Sequence, residues 1–443
     1  MKNILKICSN TSIFSSKKII RASLFTIFTF CLFQTLIYAT DSTEKANIKL
    51  GMSAAFTGPS KDLGLNLHLG ASAYFNYIND KGGINGQEIQ LIAYDDGYNP
   101  EPAIRNTIKL LEKDNVDLLF GYVGTPTTTR ILPLLKIYDK NDILLLFPFT
   151  GAEPQRNYPY DKYVLNLRAS YAQETSGLVK HFLDINRKKI GVFYQIDAYG
   201  RSGLEGVKKE LSKHNLKITS EATYRRGQNI SNNYEEQVKK LLDDKVDVII
   251  SIGSYSACAG FIRDLRNTNS NIPVANVSFV GTSSLLNQLS ELKPTSNISY
   301  TSNLINSQVV PHYINSSLHA VKKFEKLYNK HASYPESYTG DKSKKPAINY
   351  VAFEGFLDAA LTCQLIKKAK HATREGIMSI LEKNIAINIG IDQRIQFIDP
   401  KTNTINNDAS SNVYYTTLKT TVNSKGTPIT KIVPLTSWGK WQK

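Results

Sequence analysis

Short runs of β-branched and aliphatic residues alternate along this chain with amphipathic stretches of helical period, and that alternation excludes most fold classes. Residues 48–56 (IKLGMSAAF) have strand character, and the following stretch carries Leu63, Leu67, Ala71, Phe75 and Ile78 at helical spacing. Gly82-Gly83 ends that helix with residues free to turn left-handed. A strand at 87–96, a helix at 101–115, a strand at 116–123, a helix at 127–141 bearing Pro133 and a strand at 143–149 follow. A second series then begins: helix 174–186, strand 189–196, helices 204–215 and 234–245, strand 246–253, helix 258–268 and strand 274–281. Strands separated by helices of this length imply parallel βαβ units.

A chain of 443 residues exceeds what one hydrophobic core usually supports, so two lobes are expected. The lobes echo each other. DNVDLLFGYVGTPTTT (114–129) and DKVDVIISIGSYSACA (244–259) share a helix end, Val-Asp, an apolar strand, a glycine, a small hydroxyl residue and a new helix. Ligands of open parallel sheets bind outside the carboxyl ends of the strands, so two such lobes place a ligand between them. The boundaries read as lobe one at 46–167 and 300–385, and lobe two at 168–299 with the tail 386–443. The segment 332–346 (ASYPESYTGDKSKKP) reads as a polar loop on lobe one, a spacer or cleft rim, and the tail from Asp399 as hairpin strands.

Residues 1–39 stand apart. Lys2, Lys6, Lys17, Lys18 and Arg21 precede the apolar run Ala22–Ala39, which reads as a secretory signal cleaved after Ala39. The run is nearly long enough to be a retained membrane anchor instead. No other stretch is apolar enough to cross a bilayer, so an exported, soluble body is expected. Removing the five basic residues of the signal from the net charge of +16 leaves +11. The lysines are scattered over helix faces (Lys208, Lys209, Lys239, Lys240, Lys322, Lys323) without interleaved aromatics, which argues against nucleic acid as a partner. Cys258 and Cys363 fall on helices of different lobes and are expected as free, buried thiols.

At Gly124-Thr125-Pro126-Thr127 the spacing places Thr125 at an N-cap and Pro126 at the first helical position. The Thr125 hydroxyl and the amides of Thr127 and Thr128 then form a small anion seat suited to a carboxylate. On its own this corner reads more readily as a capped helix whose threonines satisfy backbone groups. The functional reading rests on comparable material at other strand ends: Phe149-Thr150-Gly151-Ala152, Asp197-Ala198-Tyr199-Gly200, Gly253-Ser254-Tyr255 and Gly281-Thr282-Ser283-Ser284. Phe149, Tyr199 and Tyr255 add aromatic walls suited to a small organic anion with an apolar or planar body. Chemistry is thinly represented. Seven histidines show no HxxxH, HxH or HExxH spacing, there is no GxSxG elbow, and no phosphate-binding glycine motif accompanies the corner. Asp95-Asp96 reads as a cap for the next helix. No metal, cofactor or catalysis is expected.

The stretch MSAAFTGPSKDLGLNLHLGASAYFNYINDKGGINGQEIQLIAYDDGYNP resembles the opening of the periplasmic leucine/isoleucine/valine-binding proteins. The FTGP turn, Gly70 inside the first helix, the connection Asn79 to Gly86 and the segment Tyr94 to Pro100 carry the likeness, which continues through FPFTGAEPQR, FYQIDAYGRSGLEGV, SFVG and EGFLDAAL. The resemblance implies the type I periplasmic binding protein fold: two Rossmann-like α/β lobes joined by a three-stranded hinge, closing on a solute for an inner-membrane ABC permease. It also implies that Thr125 and nearby main-chain groups hold a ligand carboxylate, with Tyr199, Tyr255 and the loop 149–152 lining the cleft. That loop is one residue longer here than in the family. Where amino-acid binders of the family place an acid against the ligand ammonium, this chain has Thr282-Ser283. A buried ammonium without a countercharge is costly, so either another acid such as Asp197 substitutes or the solute is another small carboxylate or amide. The implied protein is a periplasmic importer component. Two alternatives stand beside it: a periplasmic ligand sensor acting through a membrane kinase or cyclase, since no output domain follows Lys443, and an exported enzyme, which lacks a nucleophile and base.

Overall fold

The structure is a computed structural model and describes residues 47–292, 299–399, 401–422, 424–425 and 428–443. The signal-like segment 1–39 lies outside the described residues. Among the described residues no helix is long and apolar enough to cross a membrane.

Five strands, β1 (Ile48–Ala54), β2 (Ile89–Asp95), β3 (Leu118–Phe120), β4 (Leu145–Leu146) and β5 (Val164–Leu165), form one parallel sheet in the order β2-β1-β3-β4-β5. Helices α1 (Lys61–Asn79), α2 (Pro100–Glu112) and α3 (Thr125–Ile137) are its crossovers. Leu69 and Phe75 of α1 pack on one face, where Phe75 meets Phe120 edge to face. Leu110, Ile131 and Leu135 of α2 and α3 cover the other. The inner strands β3 and β4 and the short β5 are buried apolar runs without alternation, whereas the edge strand β2 carries the exposed Gln90.

The second sheet runs β12-β11-β10-β9-β8-β6-β7. Its parallel part is β6 (Ile190–Gln195), β7 (Ser220–Tyr224), β8 (Val248–Ile252), β9 (Val274–Asn276) and β10 (Leu304–Gln308), wound with α4 (Tyr171–Asp184), α5 (Ala198–Ser212), α6 (Glu235–Asp243), α7 (Tyr255–Asn267) and α8 (Thr282–Glu291). The tail hairpin β11 (Tyr414–Val422) and β12 (Pro428–Pro434) extends it antiparallel to β10. Strand β7 is short and half polar, and its pattern carries too little apolar signal to read from sequence. The expected strand 274–281 stops at Asn276, because the buried Glu174 carboxylate takes the Ser278 amide and hydroxyl at 2.7 and 2.9 Å and draws the chain into a 3-10 turn.

Helices α9 (His319–His331), α10 (Tyr350–Ala369) and α11 (Arg374–Leu381) return to the first sheet. A Cβ on Gly70 would lie 1.8 Å from the Ala352 carbonyl oxygen, and one on Gly355 would lie 2.2 Å from that of Leu67. Helices α1 and α10 therefore touch backbone to backbone, which only glycine permits. The chain passes between the sheets three times: after β5, after β10, and through Asn407–Ala409, where Asn166 pairs with the returning strand. Strand β10 pairs in the second sheet, although 300–308 falls in the range expected for lobe one; we place that boundary after Gln308. Cys258 on α7 and Cys363 on α10 are buried and free, and burial pushes the Cys258 thiol up to about 12.

Candidate ligand cleft

The corner after β3 is built on glycine. Gly124 has φ +107°, and a Cβ there would lie 2.3 Å from the Tyr98 ring. It is Gly124, not Thr125, that caps α3; Thr125 is the first helical residue. Of the donors expected at the seat, the Thr128 amide is spent on the Gly124 carbonyl at 3.0 Å. The Thr127 hydroxyl turns back onto the Val123 and Gly124 carbonyls at 2.6 and 2.9 Å. The Thr125 hydroxyl lies 2.7 Å from that of Thr150 and 3.4 Å from that of Tyr171, the first residue of the helix that opens the second lobe.

The loop after β4 is locked against this corner. Phe149 donates its amide to Tyr122 and its carbonyl accepts from Gly124. Thr150 Oγ1 accepts the Ala152 amide at 3.2 Å, and the Gly151 carbonyl accepts the Tyr171 amide at 2.7 Å. That last bond joins the first lobe to the first helix of the second. Ser170 starts that helix with a full capping box, which fixes the direction of Tyr171.

From the second lobe, Tyr199 places its ring 5.1 Å from Tyr171 and 4.7 Å from Phe279, and donates its hydroxyl to the Gly253 carbonyl. Asp197 caps α5 through the Tyr199 amide at 2.9 Å, accepts from Gln195 at 2.6 Å and faces Arg226 at 3.8 Å. Burial holds its carboxyl above the usual range. Its oxygens are already occupied, so it is a poor partner for a ligand ammonium. Tyr255 crosses to the other lobe, where its hydroxyl accepts the Asp62 amide at 3.4 Å. Thr282 accepts from Gln308 at 2.7 Å, while Ser283 stands half-buried. Asp95 and Asp96 do not cap α2, a role Asn99 fills. Asp95 ties down the Phe56 and Thr57 amides, and Asp96 takes Ser53 and the Tyr98 amide.

Sequence reasoning missed Tyr98, Tyr171, Phe279 and Arg168. Phe279 packs 5.4 Å from Phe149 and 5.9 Å from Tyr98, so its ring bridges the lobes. Arg168, on the first crossing, lies 4.3 Å over the Phe149 ring. It faces Glu354 at 3.5 Å and Glu174 at 3.9 Å, all three side chains being buried. Desolvation lifts the Glu354 carboxyl to about 7 against the pull of Arg168. The only advance signal for these residues was position: Tyr98 follows Asp95-Asp96-Gly97, and Arg168 follows the last strand of its lobe. Among the described residues no group of three or more His, Cys, Asp or Glu side chains could hold a metal ion.

Residues 47–423 match the model of one family, the periplasmic binding proteins. The chain belongs to the periplasmic binding protein family. This is a family of binding proteins, not of enzymes. A Leu/Ile/Val-binding protein homolog of Brucella abortus is 26% identical over 238 residues, covering 52% of this chain and 60% of the relative. An amino acid binding protein of Pseudomonas aeruginosa is 21% identical over 238 residues, covering 50% of this chain and 58% of the relative. The chain thus spans less than two thirds of the curated relatives it matches. The crystal structure of a possible leucine/isoleucine/valine-binding protein from Rhodopirellula baltica superposes with TM-score 0.73 at 26% identity, over 89% of this chain and 98% of that one. The type I fold expected from the sequence is the fold observed.

Proposed function

We propose that this periplasmic binding protein is the solute-capturing component of an ABC importer in the periplasm, taking an amino acid or a related small carboxylate or amide by closure of its lobes and delivering it to an inner-membrane permease. The observation that carries this reading is the convergence of Thr125 and Thr150 from one lobe with Tyr171 and Tyr199 from the other beside the interlobe crossings. The Thr125 hydroxyl and the Thr127 amide at the start of α3 suit a carboxylate. Phe149, Tyr199 and Phe279 supply the apolar wall, and residues from both lobes are needed for ligand binding to favour the closed form. Relatives named for amino acids support the ligand class. Thr282-Ser283 in place of an acid, together with the occupied carboxylate of Asp197, favours solutes without a free ammonium.

The test is a thermal-shift screen of protein unfolded and refolded to strip carried ligand, against branched-chain amino acids, non-amino carboxylates and amides. A ligand that binds only the folded form raises Tm. Thr125→Ala with Tyr199→Ala should weaken the binding of any hit without unfolding the protein; unchanged affinity in that double variant removes the proposed seat. Silence across the panel moves the weight to a partner-dependent sensor.

A further inference from the structure

We propose that the closed form carries, outside the inner seat, an outer site for the acidic group of an organic anion larger than an α-amino acid. The inference rests on the solute-binding reading above and extends it to the ligand's chemistry. Between the rings of Phe149, Tyr171, Tyr199 and Phe279 the centroid separations of 4.7 to 6.5 Å are those of direct packing, so bulk beyond a small body has to lie elsewhere. A cavity of about 460 Å³ stands at the rim of the lobes, within the size range of small-molecule sites. Its walls are the start of α1, the start of α8, and the polar loop leading into α10.

The cavity thus lies beside the starts of three helices, although the first amides of α1 are taken by the Gly58 and Ser60 carbonyls and the Tyr255 hydroxyl, and the Ala352 amide of α10 by Asn349. Two buried polar side chains line it with hydrogen-bonding capacity unspent. Ser284, 7% exposed, has no hydroxyl partner among the described residues. Asn66, also 7% exposed, accepts from Asn349 through Oδ1 at 2.9 Å, and its Nδ2 has no partner among the described residues. An anion in the cavity would supply the acceptor that both donors lack among the described residues. Charge agrees in sign. Lys61, Lys344 and Lys345 line the cavity against the single carboxylate of Asp62. Lys345 is anchored on the Asn329 and Ala332 carbonyls, whereas Lys61 and Lys344 face no carboxylate within ion-pair distance among the described residues. Tyr334 and Tyr338, stacked at 5.1 Å, form a wall for a planar or ring-bearing body. The ligand class is therefore a carboxylate- or phosphate-bearing solute with a ring or extended body.

Phthalate, citrate and glucose 6-phosphate at millimolar concentration are the probes, read by thermal shift and isothermal titration on the refolded protein. At least one should raise Tm, and the two acid chemistries separate by which probe does so. Ser284→Ala should weaken that binding about tenfold, as should Lys61→Gln with Lys344→Gln, while Ser284→Thr retains it. Ser284→Ala leaves the Asn66–Asn349 bond intact, and circular dichroism checks its fold. Binding unchanged in both outer variants but lost in Thr125→Ala with Tyr199→Ala overturns the outer site and leaves the solute-binding reading standing. No shift from any of the three probes also overturns the outer site, and the amino-acid and amide screen then judges the broader reading by itself.

Discussion

The corners after β3 and after β8 occupy equivalent places in the two lobes and spend their residues differently. In lobe one the chain enters α3 through Gly124 at φ +107° beneath the Tyr98 ring. In lobe two it enters α7 through Ser254 at φ −87°, a conformation open to any residue, with the Ser254 amide held by the Tyr224 hydroxyl. The first corner keeps the Thr125 hydroxyl beside those of Thr150 and Tyr171, while Thr127 and Thr129 turn back onto the backbone, and its geometry requires glycine at 124. The second sends Tyr255 across to α1 and gives the Gly253 carbonyl to Tyr199. Under the proposed function, one supersecondary unit serves as a polar seat in one lobe and as a latch with an aromatic wall in the other.

The comparison breaks most readily at the glycine. Gly124→Ala should destabilise the protein by about 2–4 kcal/mol, since it combines a left-handed backbone with a collision against Tyr98, whereas Ser254→Ala at the matching position should cost no more than about 0.5 kcal/mol. Urea unfolding of both variants measures the difference, and equal losses would refute it. Next in size is a pH effect from a group beside the first corner. Asp96 is fully buried beside the first corner, and desolvation raises its carboxyl to about 7. Because the folded value is raised, its stabilising contribution is complete below about pH 4 and disappears as pH rises through about 7. Unfolding free energy should therefore fall over that window by up to about 1.4 kcal/mol per pH unit from this group, and Asp96→Asn should flatten the fall. Glu354 contributes in the same direction, so the difference between variant and parent is the quantity to measure.

Smaller effects separate the two aromatic roles. Tyr199→Phe removes the hydroxyl donated to Gly253 while keeping the ring against Phe279, and should cost about 1 kcal/mol of stability. Under the proposed function, Thr125→Val should cost more in ligand affinity than in stability, the reverse of Tyr199→Phe. Tyr255→Phe loses only the long 3.4 Å bond from the Asp62 amide, so its stability should change by less than about 0.5 kcal/mol. A larger change would mean the interlobe latch is stronger than its geometry.

How much of this was legible depends on whether the signal is local. Thr125, Thr150, Tyr199 and Tyr255 lie at strand ends, and strand ends are readable from apolar runs that break into glycine and hydroxyl residues. The parallel α/β class followed for the same reason. Cap assignment at Gly124-Thr125 was off by one position because it depends on a backbone angle set by Tyr98, a residue 26 positions earlier. Asp95 and Asp96 were misread as caps because their partners, Phe56, Thr57 and Ser53, belong to the neighbouring strand and its loop.

By itself the sequence determined the two lobes, the parallel sheets and the strand-end loops, since hydrophobic period and glycine placement act over a few residues at a time. Only the tertiary structure decided that Phe279 bridges both lobes, that Arg168 lies under Phe149 between Glu174 and Glu354, and that Ser284 and Asn66 share one cavity. Apart from the contacts of Arg168 with Phe149 and Glu174, those arrangements join residues more than a hundred positions apart, and a pairing at that range exists only once the crossings have brought the two sheets together.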